Sequence, residues 1–83
     1  MTRSVHSPRY AAFCRGLLEA RKAAGLSQDA VARKLGRPQS FVSKYETGER
    51  RLDVVEFLDI ADVLGIDAAA FIAGIQRSGR RGR

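Results

Sequence analysis

The chain is short of the side chains that do most protein chemistry. It has one histidine and one cysteine in 83 residues. His6 lies in a polar N-terminal stretch, so a zinc tetrad or a histidine-centred acid–base pair has no material here. Cys14 has no second thiol with which to close a disulfide, which fits a reducing cytosol and a role as a small hydrophobe. No glycine-rich phosphate loop and no nucleophile elbow occurs. Asp59 and Asp62 fall on one side of a helical segment, but as its solvated face rather than as a catalytic pair. We expect no enzyme activity, no cofactor and no metal. No stretch approaches the roughly 18 apolar residues of a membrane span, and the start MTRSVHSPRY lacks the apolar core of a secretory signal. A cytoplasmic protein with no membrane association is expected. The length suits one small helical core and leaves no room for a separate ligand domain.

Basic residues are missing from one block altogether. Residues 52–76 contain no Lys or Arg and carry a net charge of −5. Residues 1–51 carry +7 and residues 77–83 carry +4, for a total of +6. A chain so polarised presents its first half to polyanions and repels them with the second.

The basic block holds the most informative stretch, LSQDAVARKLGRPQSFVSKYETGERR, from Leu26 to Arg51. Ser27 is a good N-cap, Val31, Ala32 and Leu35 form an apolar stripe, and Gly36 supplies a helix stop. Pro38 suits the first position of a second helix, which runs to about Thr47 and ends at Gly48. Two short helices joined by a tight turn with glycine form a helix-turn-helix pattern. At about 100° per residue, Phe41, Val42 and Tyr45 share an inward arc of the second helix. Gln39, Ser40, Ser43, Lys44 and Thr47 share the outward one. That face has hydrogen-bonding side chains in place of salt-bridging Glu–Lys pairs, and they are the types that read base edges: Gln for adenine, Lys for guanine, Ser and Thr for either. With Phe41 and Tyr45 turned inward, no aromatic platform for single-stranded RNA remains.

At this point the run resembles the helix-turn-helix regulators of the phage repressor and Cro type, the XRE family. The matching residues are Arg21, Gly25-Leu26-Ser27-Gln28, Ala32, Gly36, Val42-Ser43, Glu46, Gly48 and Arg50, then Ile60-Ala61 and Leu64-Gly65. The match extends over roughly Leu17 to Phe71. The resemblance implies an all-α, five-helix, lambda-repressor-like DNA-binding domain. It further implies a partly buried ion pair between Arg21 and Glu46 that clamps the first helix to the recognition helix, and base-reading positions at Gln39, Ser40 and Lys44, with Ser43 and Thr47 beside them. Phosphate contacts are expected from Gln28 at a helix N-terminus, from Arg37 in the turn and from Arg50 and Arg51 in the following loop. The family usually carries proline near Leu52; this chain lacks it, which predicts a less rigid loop.

The remaining segments read as helices around this motif. Helix 1 is expected from about Arg9 to Ala24, with Ser7-Pro8 at its start and Tyr10, Phe13, Leu17 and Ala20 facing inward. Asp53 and Glu56 form a capping-box start for helix 4, whose expected core stripe is Val54, Phe57, Leu58, Ala61 and Leu64, flanked by Ile60. Asp67 caps helix 5, expected from Ala68 to about Gln76. The domain is thus placed at residues 8–76, between a disordered stretch at 1–7 and a basic disordered tail at 77–83. That tail reads equally as extra phosphate contacts or as a solvated terminus. One such motif covers few base pairs, so a homodimer on a palindromic operator is expected, with half-sites about 34 Å apart. By the family's habit of pairing through its C-terminal region, Ile72 and Ile75 are the dimer candidates, with Leu58 or Val55 as a further one; the other reading is that they finish a small core. The functional expectation is a small sequence-specific regulator of transcription that binds double-stranded DNA, by default a repressor, with its recognition helix, about 38–47, in the major groove. The alternative is a protein-interaction or antitoxin-type adaptor on the same fold, with weak sequence reading and a protein partner.

Overall fold

Ser or Asp stands at four of the chain's helix starts as a side chain able to take a free backbone N–H, and a proline stands at the fifth. In the computed structural model, which describes the backbone of residues 7–81 and the side chains of 7–77, these starts delimit five helices. They are α1 (Pro8–Ala23), α2 (Gln28–Leu35), α3 (Gln39–Thr47), α4 (Val54–Leu64) and α5 (Ala68–Arg81). Ser7 Oγ accepts from the Tyr10 N–H at 3.1 Å and Ser27 Oγ from the Ala30 N–H at 3.0 Å. Asp53 and Glu56 form a reciprocal capping box, and Asp67 accepts from the Ala70 N–H. Gly36 ends α2 with φ +70°, where a side chain would be strained, and lets the Arg37 N–H close back on the Ala32 carbonyl.

Three expectations shift. Pro38 is the N-cap of α3 rather than its first helical residue: its ψ of 153° is extended, and its carbonyl accepts from the Phe41 N–H. After the left-handed Gly36 the chain needs extended backbone to re-aim, and proline supports that as readily as a helical start. Helix α5 continues to Arg81, past the expected end at Gln76. No proline interrupts this stretch, and Gly79 costs only about 1 kcal/mol relative to alanine. Residues 1–6 and 82–83 of the two termini read as disordered lie outside the described residues. In α4 the core stripe is Phe57, Ile60, Ala61 and Leu64, while Val54 and Leu58 are 72% and 45% exposed. Both stripes obey helical spacing in a segment this apolar, and packing selects the one that includes Ile60.

The core gathers residues from every helix. Leu17, Val31, Ala32, Val42, Tyr45 and Ile60 are almost wholly buried, with Phe41, Phe57 and Leu64 close behind. Phe13 of α1, Phe57 of α4 and Phe71 of α5 form a triangle of rings with centroids 5.4–5.9 Å apart, offset as the ring quadrupole prefers. Gly16 lies against the Phe71 ring: a Cβ there would stand 2.8 Å from Phe71 Cζ. Helix α1 thus packs against α5 and also against α3, which in turn packs against α2.

Candidate nucleic-acid interface

The inward arc of α3 is buried at Phe41, Val42 and Tyr45, which forces the other arc outward. Gln39, Ser40, Lys44 and Thr47 are exposed, and Ser43 is half-buried. Thr47 turns its hydroxyl back to the Lys44 carbonyl at 3.1 Å and takes the Glu49 N–H at 3.4 Å, so it finishes the helix as well as lying on the outward face. Gln39, Ser40, Ser43 and Lys44 remain as a continuous hydrogen-bonding strip.

A chain of side chains ties that strip to the first helix. Gln39 Nε2 donates to Gln28 Oε1 at 2.9 Å, and Gln28 Nε2 donates to Glu46 Oε1 at 2.9 Å. Glu46 also takes both arms of Arg21, Nε to Oε2 at 2.7 Å and Nη2 to Oε1 at 3.0 Å. Arg21 spends its remaining arm, Nη1, on the Leu26 carbonyl at 3.0 Å. The Glu46 side chain is 1% exposed and that of Arg21 11%. Two-armed pairing with both groups further hydrogen-bonded is the geometry in which attraction offsets desolvation; removing one partner from such a buried pair costs about 3–5 kcal/mol. The carboxylate raises the Arg21 pKa, chiefly through their hydrogen bond, so the guanidinium stays charged. Gln28 thus joins a buried ion pair on one side to a candidate base reader on the other, while sitting at the N-terminus of α2.

The expected phosphate contacts have less uniform surroundings. Arg37 Nη2 lies 3.2 Å from Glu56 Oε2, and Arg50 grips the same carboxylate with Nη1 to Oε1 and Nη2 to Oε2, both at 3.0 Å. Arg50 Nη1 also donates to the Arg51 carbonyl at 2.7 Å, and its backbone N–H to the Lys44 carbonyl. The loop after α3 therefore follows a defined path without the proline. Both guanidinium groups lie against the Phe41 ring, 4.2 and 5.0 Å from its centroid. Arg51 lies 4.2 Å above the Tyr10 ring. Glu56, read from sequence only as half of a capping box, is the residue that joins these elements. Nothing in the spacing announces it, because the contacts to Arg37 and Arg50 require α4 to pack back against α2, which brings its first turn to the α2–α3 turn. The Asp53 N–H, then Arg50, hold its carboxyl below the usual glutamate range.

Ile72 is 45% exposed, whereas Ile75 is half-buried. Ile75 borders a groove of about 290 Å³ with Tyr10, Phe13 and Leu52, so it turns toward α1. Val54 and Val55 are exposed at the start of α4. Cys14 is buried, and that burial raises its thiol pKa, the surroundings of an inert side chain rather than a nucleophile. Among the described residues no helix is long and apolar enough to cross a membrane.

With this geometry in view, the helix-turn-helix family model matches residues 17–71. An XRE-family like protein from Pseudomonas syringae pv. tomato str. DC3000 is similar in structure, with a TM-score of 0.83 and 50% identity, over 92% of this chain and 93% of that one. No curated protein sequence matches the chain. The match covers most of the folded part and spans the helices that carry the strip, the turn and the ion pair, and the chain belongs to the XRE family of helix-turn-helix DNA-binding regulators.

Proposed function

We propose that this regulator is a sequence-specific repressor that binds a palindromic operator in double-stranded DNA as a homodimer in the cytoplasm. Helix α3 enters the major groove. Gln39 at its start and Lys44 a turn and a half later reach base edges, with Ser40 and Ser43 between them and Thr47 at the end. Gln28, Arg37, Arg50 and Arg51 meet phosphates on either side. Ile72 on the outer side of α5 contributes to the dimer contact, and Ile75 supports it from within.

The observation that carries this reading is the chain from Gln39 through Gln28 and Glu46 to Arg21. A merely solvated polar face needs no such bracing. A base-reading side chain gains from it, because a rotamer fixed before binding loses less entropy on contact. Selection of duplexes from a random pool at physiological salt tests the proposal, repeated with Gln39→Ala and Lys44→Ala. The expected result is an inverted-repeat consensus, relaxed at different positions by the two variants, at about 1–3 kcal/mol each. Absence of any enriched sequence rejects it. One observation favours a second reading, a protein-binding adaptor: exposed Val54, Val55 and Leu58 lie on α4 with exposed Asp59 and Asp62, an apolar and acidic combination unsuited to a polyanion.

A further inference from the structure

We infer that Glu56 is a positioning residue for DNA recognition: it holds Arg37 and Arg50 in one pose beside the recognition helix, so that they meet phosphate mainly in the register in which the bases are read. The inference rests on the sequence-reading function proposed above. Arg37 precedes α3 and Arg50 follows it, so the two cations bracket the helix in sequence, yet both end on one carboxylate and one ring.

An ordinary surface salt bridge would not support this, since both side chains keep their freedom and exchange with water. Here the carboxylate is itself fixed. Glu56 Oε1 accepts the Asp53 N–H at 3.0 Å as part of the capping box, and the Glu56 side chain is 15% exposed. Arg50 is then fixed three times, by its two-armed grip, by the Arg51 carbonyl and by the Phe41 ring. Arg37 is fixed by Glu56 Oε2 and by the same ring. Two cations share one anion, so the cluster keeps a net charge of +1 and its attraction for an arbitrary phosphate is moderated. A mobile arginine can follow phosphates in any register and so adds to non-specific binding. A held arginine adds most where the phosphate lies at the matching place. Specificity is the ratio of the two affinities, and it is the ratio that Glu56 raises.

The test uses the full chain with Glu56→Gln. The amide carbonyl can still accept the Asp53 N–H, so the start of α4 is kept, but the charge that gathers two arginines is gone. Binding to the selected consensus and to an unrelated duplex is measured across a salt series, with thermal melting alongside. We expect affinity for the unrelated duplex to rise at least about threefold. Its log–log salt slope should steepen by about one for each arginine that newly reaches a phosphate, and the specificity ratio should fall. The triple variant that also carries Arg37→Gln and Arg50→Gln should lose the added slope. A lower melting temperature with unchanged slope and ratio would mean that Glu56 only caps α4, and it overturns the inference; so does an added slope that survives in the triple variant. If the wild-type chain enriches no sequence, the sequence-reading function fails and this inference with it. If it enriches one and Glu56→Gln changes neither ratio nor slope, the positioning role alone fails. Should Glu56→Gln not fold, Arg37→Gln leaves the capping box whole. It should then lose more affinity for the consensus than for the unrelated duplex, and equal losses overturn the inference.

Discussion

Tyr45 shows how a single side chain can be required for its shape and costly in its chemistry. Its ring is fully buried and packs edge-on against Phe41, with centroids 5.4 Å apart. Among the described residues its hydroxyl has no hydrogen-bond partner, and burial, then the neighbouring Glu46 carboxylate, raises its pKa strongly. A buried unsatisfied hydroxyl carries a desolvation cost of about 1–3 kcal/mol that the folded state must absorb. We therefore expect Tyr45→Phe to stabilise the domain by about 1 kcal/mol in denaturant unfolding, with DNA affinity unchanged. Destabilisation instead would show that the hydroxyl is satisfied by a bridging water. At this scale the sequence was a partial guide. The inward arc of Phe41, Val42 and Tyr45 was legible from helical spacing, because burial of a face needs only periodicity. Glu56 was legible as a cap, because Asp53 lies three residues away, but its grip on Arg37 and Arg50 crosses 19 and 6 residues and two elements. Local spacing carries no record of such a meeting.

The elements were easier to place than their packing. Ser7, Ser27, Asp53 and Asp67 lie where helix starts were expected, since a cap is a property of a few adjacent residues. Helix α4 was harder. Its apolar residues satisfy two stripes, and the choice between Leu58 and Ile60 is made by the rings of Phe13 and Phe71 that Phe57 meets. Gly16 is the clearest case of a residue whose reason lies outside its own helix. Alanine there would improve intrinsic helix propensity by about 1 kcal/mol. It would also place a Cβ 2.8 Å from Phe71 Cζ, inside a ring cluster with Phe13 and Phe57 that restricts any retreat. Overpacking of this kind costs about 1–3 kcal/mol, which exceeds or cancels the propensity gain. We expect Gly16→Ala to lower stability by about 1 kcal/mol net, and Gly16→Ala combined with Phe71→Leu to recover part of the loss through coupling of the two sites. A simple gain in melting temperature for Gly16→Ala would mean that α1 and α5 separate easily.

On the scale of the whole molecule, the charge segregation and the exposed apolar residues bear on one question, how a domain this small reads a site long enough to matter. Residues 1–51 carry +7 and contain the outward strip of α3 and the Arg37–Glu56–Arg50 cluster's two cations, while residues 52–76 carry −5. Apart from Glu56, which is neutralised by Arg37 and Arg50, the acidic block repels phosphate, and its outward faces are the ones suited to another protein copy. Ile72, 45% exposed on α5, lies in this block. Ile75 lies there too but faces α1, with its Cδ1 3.9 Å from where a Gly16 Cβ would stand. Substitution should separate the two roles. Ile72→Asp should leave the monomer's melting nearly unchanged while weakening dimerisation at least about tenfold in sedimentation equilibrium. Operator affinity should fall with it, because two half-sites about 34 Å apart bind tightly only when their readers are joined. Ile75→Asp, by contrast, would bury a charge against Phe13 and Tyr10 and should lower the melting temperature outright. If Ile72→Asp sediments as the wild type does, α5 is not the contact. The exposed Val54, Val55 and Leu58 of α4 then become the surface to substitute next.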